Sequence, residues 1–459
     1  MIHRYQKKGL NFVLDVNSGA VHLLDDISYA VSGLLDENMG DTCPQSIVDA
    51  LPDYTADEIR EAYGELYELK KAGQLFAQDD YIDVSRYIPV NAPVKALCLH
   101  VAHDCNLRCK YCFASTGDFG QGRKIMPPEI AKKAIDFVIA RSGVRHNIEV
   151  DFFGGEPLMA WDTVTQTVDY ARSLEEKYNK KFRFTITTNG LLLDEDKRKY
   201  INENMDNCVL SLDGRREVND AFRKTVAGTG SYDTIVPKFK ALVDERDPNL
   251  DYYARGTFTS HNLDFAEDVL SIADAGFDRL SVEPVTADPG CGYDLTEDDL
   301  PKIEAEYDRL TDIMLERKKE GKPFTFFHFM VDLDQGPCVV KRLRGCGAGY
   351  EYVAVTPDGD IYPCHQFVGK DEFKQGSVLD QSFDMDIAQK FAGMNIYSRP
   401  KCQKCWAKFY CSGGCSAANY NMNHDMNDSY DLGCEMERKR LECAIYLKAM
   451  DKICAEEAK

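Results

Sequence analysis

A short apolar stretch, Lys95 to Val101, leads into the run HDCNLRCKYCFA, which carries Cys105, Cys109 and Cys112 in a C-x3-C-x2-C spacing. Three thiols this close on one loop point to a single metal centre. A stable four-iron cluster has four iron corners to ligate, so three thiolates leave one corner for a molecule that is not protein. Structural zinc sites favour two cysteine pairs and closed tetrahedral coordination, and no partner pair lies near this loop. The fold must therefore bring the end of a strand to a place that a cluster and a small chelating ligand can both reach.

The chain from about residue 93 to 320 alternates strand and helix patterns. Residues 95–101, 147–153, 182–188, 207–212, 252–259 and 277–285 read as strands. Six strands separated by helical stretches imply right-handed crossovers and a parallel sheet, and ligands gather at the carboxyl ends of such strands. The second strand runs directly into Gly154-Gly155-Glu156-Pro157, where paired glycines let backbone approach a neighbour closely. Thr188, Asn189 and Gly190 end the third strand, and Ser211, Asp213 and Gly214 the fourth. Asn-Gly and Asp-Gly also make ordinary turns, so these residues are rim candidates by position.

Composition narrows the function classes. A formal charge of -21 argues against a nucleic-acid partner, which needs a basic footprint. The start MIHRYQKKGLNFVLDV lacks a continuous apolar segment, and no stretch has the apolar length of a membrane span. The expectation is a cytoplasmic protein, where 17 cysteines serve as metal ligands or redox centres rather than disulfides.

Residues 1–90 read as a small module. Asn11–Val16 and Ala20–Leu24 flank Asn17-Ser18-Gly19, a hairpin signal. Ile27, Val31, Leu34 and Leu35 repeat at helical spacing, Ser46–Leu51 suits a second helix, and Thr55 with Glu58 opens a third through a capping box. The hairpin and three helices are winged-helix-like. Beyond a linker with Gly321, Pro323, Gly336 and Pro337 come Cys346, Cys364, Cys402, Cys405, Cys411, Cys415 and Cys434, in the pattern C-x12-G-x4-C, then C-x2-C-x5-C-x3-C, then C. Residues 435–457 read as one amphipathic helix. Cys43, Cys98, Cys208, Cys291, Cys443 and Cys454 match no cluster pattern and are expected as small buried core residues.

With Tyr111 before the third cysteine and GGEP one strand later, the chain resembles the radical S-adenosylmethionine (SAM) superfamily, and its cysteine-rich end resembles the SPASM domain. The resemblance implies an α/β fold: a partial (β/α)6 barrel over 91–320, a SPASM domain over 321–435 and a terminal helix over 436–459. It implies SAM and three [4Fe-4S] clusters as cofactors, the first held by Cys105, Cys109 and Cys112 as the catalytic centre. The SAM contacts it implies are Tyr111, Gly154, Gly155, Glu156, Asn189, Ser211 and Arg223, the last facing the SAM carboxylate; Thr257 and Glu283 are weaker candidates. Cys402, Cys405, Cys411 and Cys434 would close one auxiliary cluster. Cys346, Cys364 and Cys415 would hold the other, with Cys338 either completing it or leaving an iron open to a substrate thiol.

The whole chain resembles the maturases of SCIFF peptides, of the CteB type, which are six-cysteine relatives of the sactipeptide enzymes; the segment GCGAGYEYVAVTPDGDIYPCHQF is characteristic. That implies a leader-recognition role for residues 1–90, a ribosomally made cysteine-rich precursor peptide as partner, and a low-potential electron donor of flavodoxin or ferredoxin type. The implied product is a thioether between a cysteine sulfur and a carbon of an acceptor residue, a threonine by analogy. Another peptide oxidation, a carbon-carbon cross-link or a sulfatase-type oxidation of cysteine or serine, is the alternative product. A non-catalytic iron-sulfur carrier is the alternative from outside enzymology.

Overall fold

The structure is a computed structural model that describes residues 1–87, 92–333 and 339–457. Cys338, the candidate extra ligand, lies outside the described residues. The chain divides into two compact units. The first comprises Met1–Tyr87, Phe329–Gly345 and Met394–Lys459; the second comprises Ile88–His328 and Cys346–Gly393.

In the first unit β1 (Ile2–Lys7), β2 (Leu10–Asp15) and β3 (Val21–Leu24) form an antiparallel sheet in the order β1-β2-β3. The hairpin expected between β2 and β3 is present, and its turn is held by Asp15, whose Oδ1 accepts from the Ser18 amide and hydroxyl, each at 2.9 Å. The strand Ile2–Lys7 is not legible in the sequence, because neither of its faces, Ile2, Arg4 and Gln6 or His3, Tyr5 and Lys7, is consistently apolar. Helices α1 (Asp26–Ser32), α2 (Gln45–Ala50) and α3 (Ala56–Lys71) come next in the chain. The capping box of α3 is formed, with the Thr55 amide donating to Glu58 at 2.9 Å and the Glu58 amide donating to Thr55 Oγ1 at 3.3 Å. Val13, Val31, Ile59, Tyr63 and Leu66 close a core between this face of the sheet and the helices.

The other face of the sheet meets the chain terminus. The helix Asp431–Glu457 starts four residues before the expected position. Its Glu442 carboxylate pairs with His3 at 2.9 Å, and Tyr446 meets Phe12 edge-on at 6.3 Å. His3 also stacks flat on Trp406 at 3.8 Å. The central strand β2 is thus covered on both faces, which explains how so short a sheet is stable.

The second unit holds the parallel sheet. Its strands are β4 (Ala96–His103), β5 (Lys124–Ile125), β6 (Asn147–Gly154), β7 (Lys181–Thr188), β8 (Asn207–Ser211), β9 (Asp251–Phe258), β10 (Arg279–Pro284) and β11 (Thr325–Phe326). The order is β11-β10-β9-β8-β7-β6-β4, parallel throughout, with the short β5 pairing antiparallel to the end of β4. All six expected strands are present, and helices such as Pro128–Arg141 and Trp161–Tyr178 separate them as crossovers. Two features go beyond the expectation. The strand β11 extends one edge, and at the other β12 (Tyr352–Val355) pairs parallel with β4 and begins an antiparallel run through β13 (Asp360–Tyr362), β14 (Gly376–Ser377) and β15 (Ser382–Phe383).

Alternation along the strands sorts the faces. Ile148, Val150, Phe152, Phe182, Phe184 and Ile186 are fully buried. The intervening Asp151, Phe153, Thr185 and Thr187 are half-buried, so the opposite face is a partly open, largely polar surface.

Candidate active site

β4 is irregular between His100 and Ala102 in its pairing with β6. Such a shift bends a strand and re-aims the residues beyond it, and beyond the end of β4 lies the three-cysteine loop. The loop is pinned along its length. The Asp104 carboxylate accepts from the Cys105 amide at 2.8 Å, the Arg108 amide donates to the Lys224 carbonyl at 2.7 Å, and the Lys110 amide donates to the Phe222 carbonyl at 3.2 Å. Cys105, Cys109 and Cys112 are all half-buried. Burial pushes the Cys105 thiol up to about 12, with Glu156 and then the other two thiols adding to the rise. Burial likewise lifts Cys109 to about 11. Thiols that disfavour one another's ionisation are gathered at one place, and a metal centre removes the penalty because coordination deprotonates them.

Gly154, Gly155 and Gly117 form the bed of this loop. A Cβ on Gly154 would sit 2.2 Å from the Ala102 carbonyl oxygen, and one on Gly155 would sit 2.2 Å from that of Asp104. One on Gly117 would meet Cys105 Cβ at 2.7 Å. The Gly155 amide donates to Ala102 at 2.7 Å and the Glu156 amide to Asp104 at 2.9 Å. The immediate partner of the double glycine is therefore the backbone that carries the cysteines. Gly117 was missed from sequence, where it sits in no motif.

Glu156 is fully buried. Its carboxylate accepts from the Leu158 amide at 3.0 Å, from Thr188 Oγ1 at 2.7 Å and from the Asn189 amide at 2.7 Å. Burial raises its pKa while these donors oppose the rise. The carboxylate thereby ties the turn after β6 to the end of β7. Asn189 in turn donates from Nδ2 to Asn106 at 2.7 Å and toward the Cys105 sulfur at 3.6 Å.

Tyr111, Asp213 and Arg223 form a second buried assembly. The Tyr111 hydroxyl donates to Asp213 at 2.7 Å and accepts from Arg223 Nη1 at 3.0 Å. The Thr257 amide also donates to Asp213, at 3.2 Å. Arg223 Nε is buried with no protein partner among the described residues, so one donor of this fork remains for another group. Ser211 ends β8, half-buried and in register with Arg255. Arg255, which sequence reasoning did not single out, grips Glu283 through Nε at 2.8 Å and through Nη2. His365 packs against Phe153 at 5.0 Å and Phe113 at 5.4 Å, and burial pushes its imidazole down to about 4.

The first unit contains a second thiol assembly. Cys402, Cys405, Cys411 and Cys434 line one cavity of about 320 Å³, with Lys401, Lys408, Glu437 and Arg438 also in its wall. Burial raises the Cys411 thiol strongly and lifts Cys434 to about 11, each with the neighbouring cysteines contributing. Among the described residues no three metal-ligating side chains close on a single ion; the four thiols line one common space. Cys346 is exposed beside Gly347, and Cys364, buried, comes just after β13, both in the second unit. Cys415 is exposed and caps the helix Ser416–Asn423 of the first unit. Of the six cysteines expected in cores, Cys98, Cys208 and Cys443 are buried, but Cys43 is only partly covered and Cys291 and Cys454 are exposed. Cys291 lies on a turn and Cys454 on the outer side of the terminal helix; single spacing cannot reveal which face solvent reaches.

Comparison with known proteins agrees with this anatomy. The Radical SAM superfamily profile matches residues 99–253, and the SPASM profile, an iron-sulfur cluster-binding domain, matches residues 346–406. A cysteine-type anaerobic sulfatase-maturating enzyme of Clostridium novyi is 25% identical over 354 residues, covering 72% of this chain and 90% of that protein. The solved structure of anSMEcpe with bound AdoMet and Cp18Cys peptide has a TM-score of 0.62 at 21% identity, covering 78% of this chain and 99% of that one. Streptococcus suis SuiB bound to its precursor peptide SuiA has a TM-score of 0.51 at 16% identity, covering 93% and 97%. The fold is thus the radical SAM α/β fold with a SPASM domain toward the C-terminus. The cofactors that go with the two domain types are SAM with a [4Fe-4S] cluster, and auxiliary iron-sulfur clusters. Among the described residues no helix is long and apolar enough to cross a membrane.

Proposed function

We propose that the chain is a radical SAM peptide maturase that joins a cysteine sulfur to a carbon of an acceptor residue, a threonine by analogy, within a ribosomally made cysteine-rich peptide. The observation that carries the enzymatic part is the three-thiol loop seated on Gly117, Gly154 and Gly155 at the carboxyl end of β4. The thioether product rests on the SCIFF-type sequence pattern. When bound, the cluster and SAM supply a 5'-deoxyadenosyl radical able to remove a hydrogen from carbon.

The chain's own residues do the holding. Cys105, Cys109 and Cys112 would hold the catalytic cluster, and Asn189 Nδ2 lies within donating distance of the Cys105 sulfur. Arg223, with its spare Nε, faces the SAM carboxylate, while Tyr111 and Asp213 fix its orientation. Gly154, Gly155, Glu156 and Ser211 shape the remainder of the SAM rim. Cys402, Cys405, Cys411 and Cys434, which line one cavity, would hold one auxiliary cluster; the assignment of Cys346, Cys364 and Cys415 to the other rests on the SPASM-type spacing alone. The outer edge of β3, which pairs with no strand among the described residues, suits a leader peptide that adds a strand, since main-chain hydrogen bonds then supply affinity and alternate side chains selectivity. Holding the peptide's thiol and carbon together would make ring closure effectively unimolecular. A low-potential flavodoxin or ferredoxin and a cytoplasmic setting complete the proposal.

The test is anaerobic reconstitution with a candidate six-cysteine peptide, following deoxyadenosine and peptide mass together. Thioether formation gives a product lighter by two hydrogens with one cysteine no longer open to alkylation. A product of that mass with every thiol still alkylated refutes the thioether and favours a carbon-carbon cross-link. The name of the Clostridium novyi relative supports a second reading, oxidation of a single cysteine or serine side chain. Conversion of one such residue to its aldehyde would establish it.

A further inference from the structure

Two donors stand beside sulfurs of the four-thiol cavity, Arg438 in its wall and Ser429 behind Cys402, and neither is required by any metal-ligand spacing. Arg438 stands one helical turn beyond Cys434, and its Nη1 donates to the Cys405 sulfur at 3.8 Å. Ser429, 2% exposed, has its hydroxyl 3.5 Å from the Cys402 sulfur. A thiolate that holds iron carries no proton, so in the loaded site the serine hydroxyl can act toward that sulfur only as donor.

The placement of both groups is fixed by other contacts. Glu435 grips the Arg438 guanidinium through Nε at 3.1 Å and through Nη2, which leaves Nη1 aimed at the cavity. The lysines of the wall are differently engaged: Lys408, whose side chain is 4% exposed, is bound to Asp79 at 2.8 Å, and Lys401 is bound to Asp428 at 3.0 Å and Asp431 at 2.8 Å. Neither has a hydrogen bond to a cavity sulfur among those described.

We propose that Arg438 and Ser429 are positioning residues that set the reduction potential of the cluster held by Cys402, Cys405, Cys411 and Cys434. Hydrogen bonds to cluster sulfurs and nearby positive charge are levers on iron-sulfur potentials. Both stabilise the more negative, reduced form more than the oxidised one. The two donors therefore poise this cluster to accept an electron rather than to give one up. The inference rests on the ligand assignment proposed above for these four cysteines.

The experiment uses the full chain with Cys105, Cys109 and Cys112 all changed to Ala, reconstituted without oxygen, so that only auxiliary clusters contribute. Iron and sulfide per chain are measured first, then the midpoint potentials by spectroscopically monitored redox titration. In that background, Ser429→Ala and Arg438→Gln each keep the iron content and shift one midpoint to more negative potential, the arginine variant further. Arg438→Lys, which keeps charge without the fork, falls between. Unchanged midpoints in Ser429→Ala and Arg438→Gln at full iron content overturn the inference. Should the glutamine variant not load, Ser429→Ala, which loses a single oxygen atom, decides alone by the same criterion. Failure of the ligand assignment is distinguishable: a Cys405→Ala variant would then retain all of the parent's iron.

Discussion

Gly155 is the residue with the least room in the site. A methyl group there would meet the Asp104 carbonyl oxygen at 2.2 Å and that of Gly117 at 3.0 Å, and both neighbours are backbone that cannot swing away. Gly155→Ala should therefore displace the cysteine loop, costing about 2 kcal/mol or more of stability and much of the iron at that loop; an alanine variant with normal melting and normal iron content would contradict the packing described. Tyr111 makes a different prediction. Tyr111→Phe removes the hydroxyl that links Asp213 to Arg223 and leaves buried polar groups short of a partner, at a cost of roughly 1–3 kcal/mol. Denaturant unfolding reads this loss, and an increased KM for SAM should accompany it if Arg223 holds the carboxylate. Glu156 plays a part that its motif does not disclose. The resemblance implies a SAM contact, and the structure adds a second part: three protein donors converge on the carboxylate, which clamps two strand ends together.

At the level of elements, β6 and α3 offer separate tests. On β6, burial holds the Asp151 carboxyl up to about 7, with Glu149 adding to the rise and Thr185 opposing it. An aspartate with a folded-state pKa above its unfolded value keeps a proton that the unfolded chain has already lost. The fold then loses stability as pH rises from about 4 to about 7, and the loss is complete above that range. Asp151→Asn should flatten this slope and leave the protein more stable at pH 8, by on the order of 1 kcal/mol after discounting for partial solvent access. Equal pH profiles of stability for the two proteins would show that Asp151 ionises normally. For α3, Thr55→Ala removes the hydroxyl that accepts from the Glu58 amide, while the residue-55 amide can still donate to Glu58; the lost half of the capping box should cost about 1 kcal/mol, seen as a lower midpoint in thermal unfolding. A loss of that size in residues 1–87 also tests whether the first unit unfolds with the rest, since a separate early transition would appear instead.

For the whole molecule, the proposed assignment of clusters separates two kinds of defect. Cys105→Ala should abolish SAM cleavage, whereas Cys402→Ala should lose about a third of the iron, keep some cleavage and lose the cross-link. Normal cross-linking by the Cys105 variant would refute the proposed function outright. The spacing of Cys105, Cys109 and Cys112, the GGEP turn and the alternation of strands and helices were legible in one dimension. Each is set by local chemistry: thiol spacing on one loop, backbone freedom at glycine, and period-two against helical hydrophobicity. The six parallel strands could be read from that patterning because a crossover of sufficient length admits one handedness. Contacts between distant segments were decided only by the tertiary structure. Nothing in the spacing joins Tyr111 to Asp213 and Arg223, seats Cys105 against Gly117, covers the first sheet with the terminal helix through His3 and Glu442, or aims Arg438 at Cys405. Those pairings depend on which surfaces meet once apolar faces are buried, and a polar side chain's partner is chosen by the geometry of that burial rather than by its own neighbours in sequence.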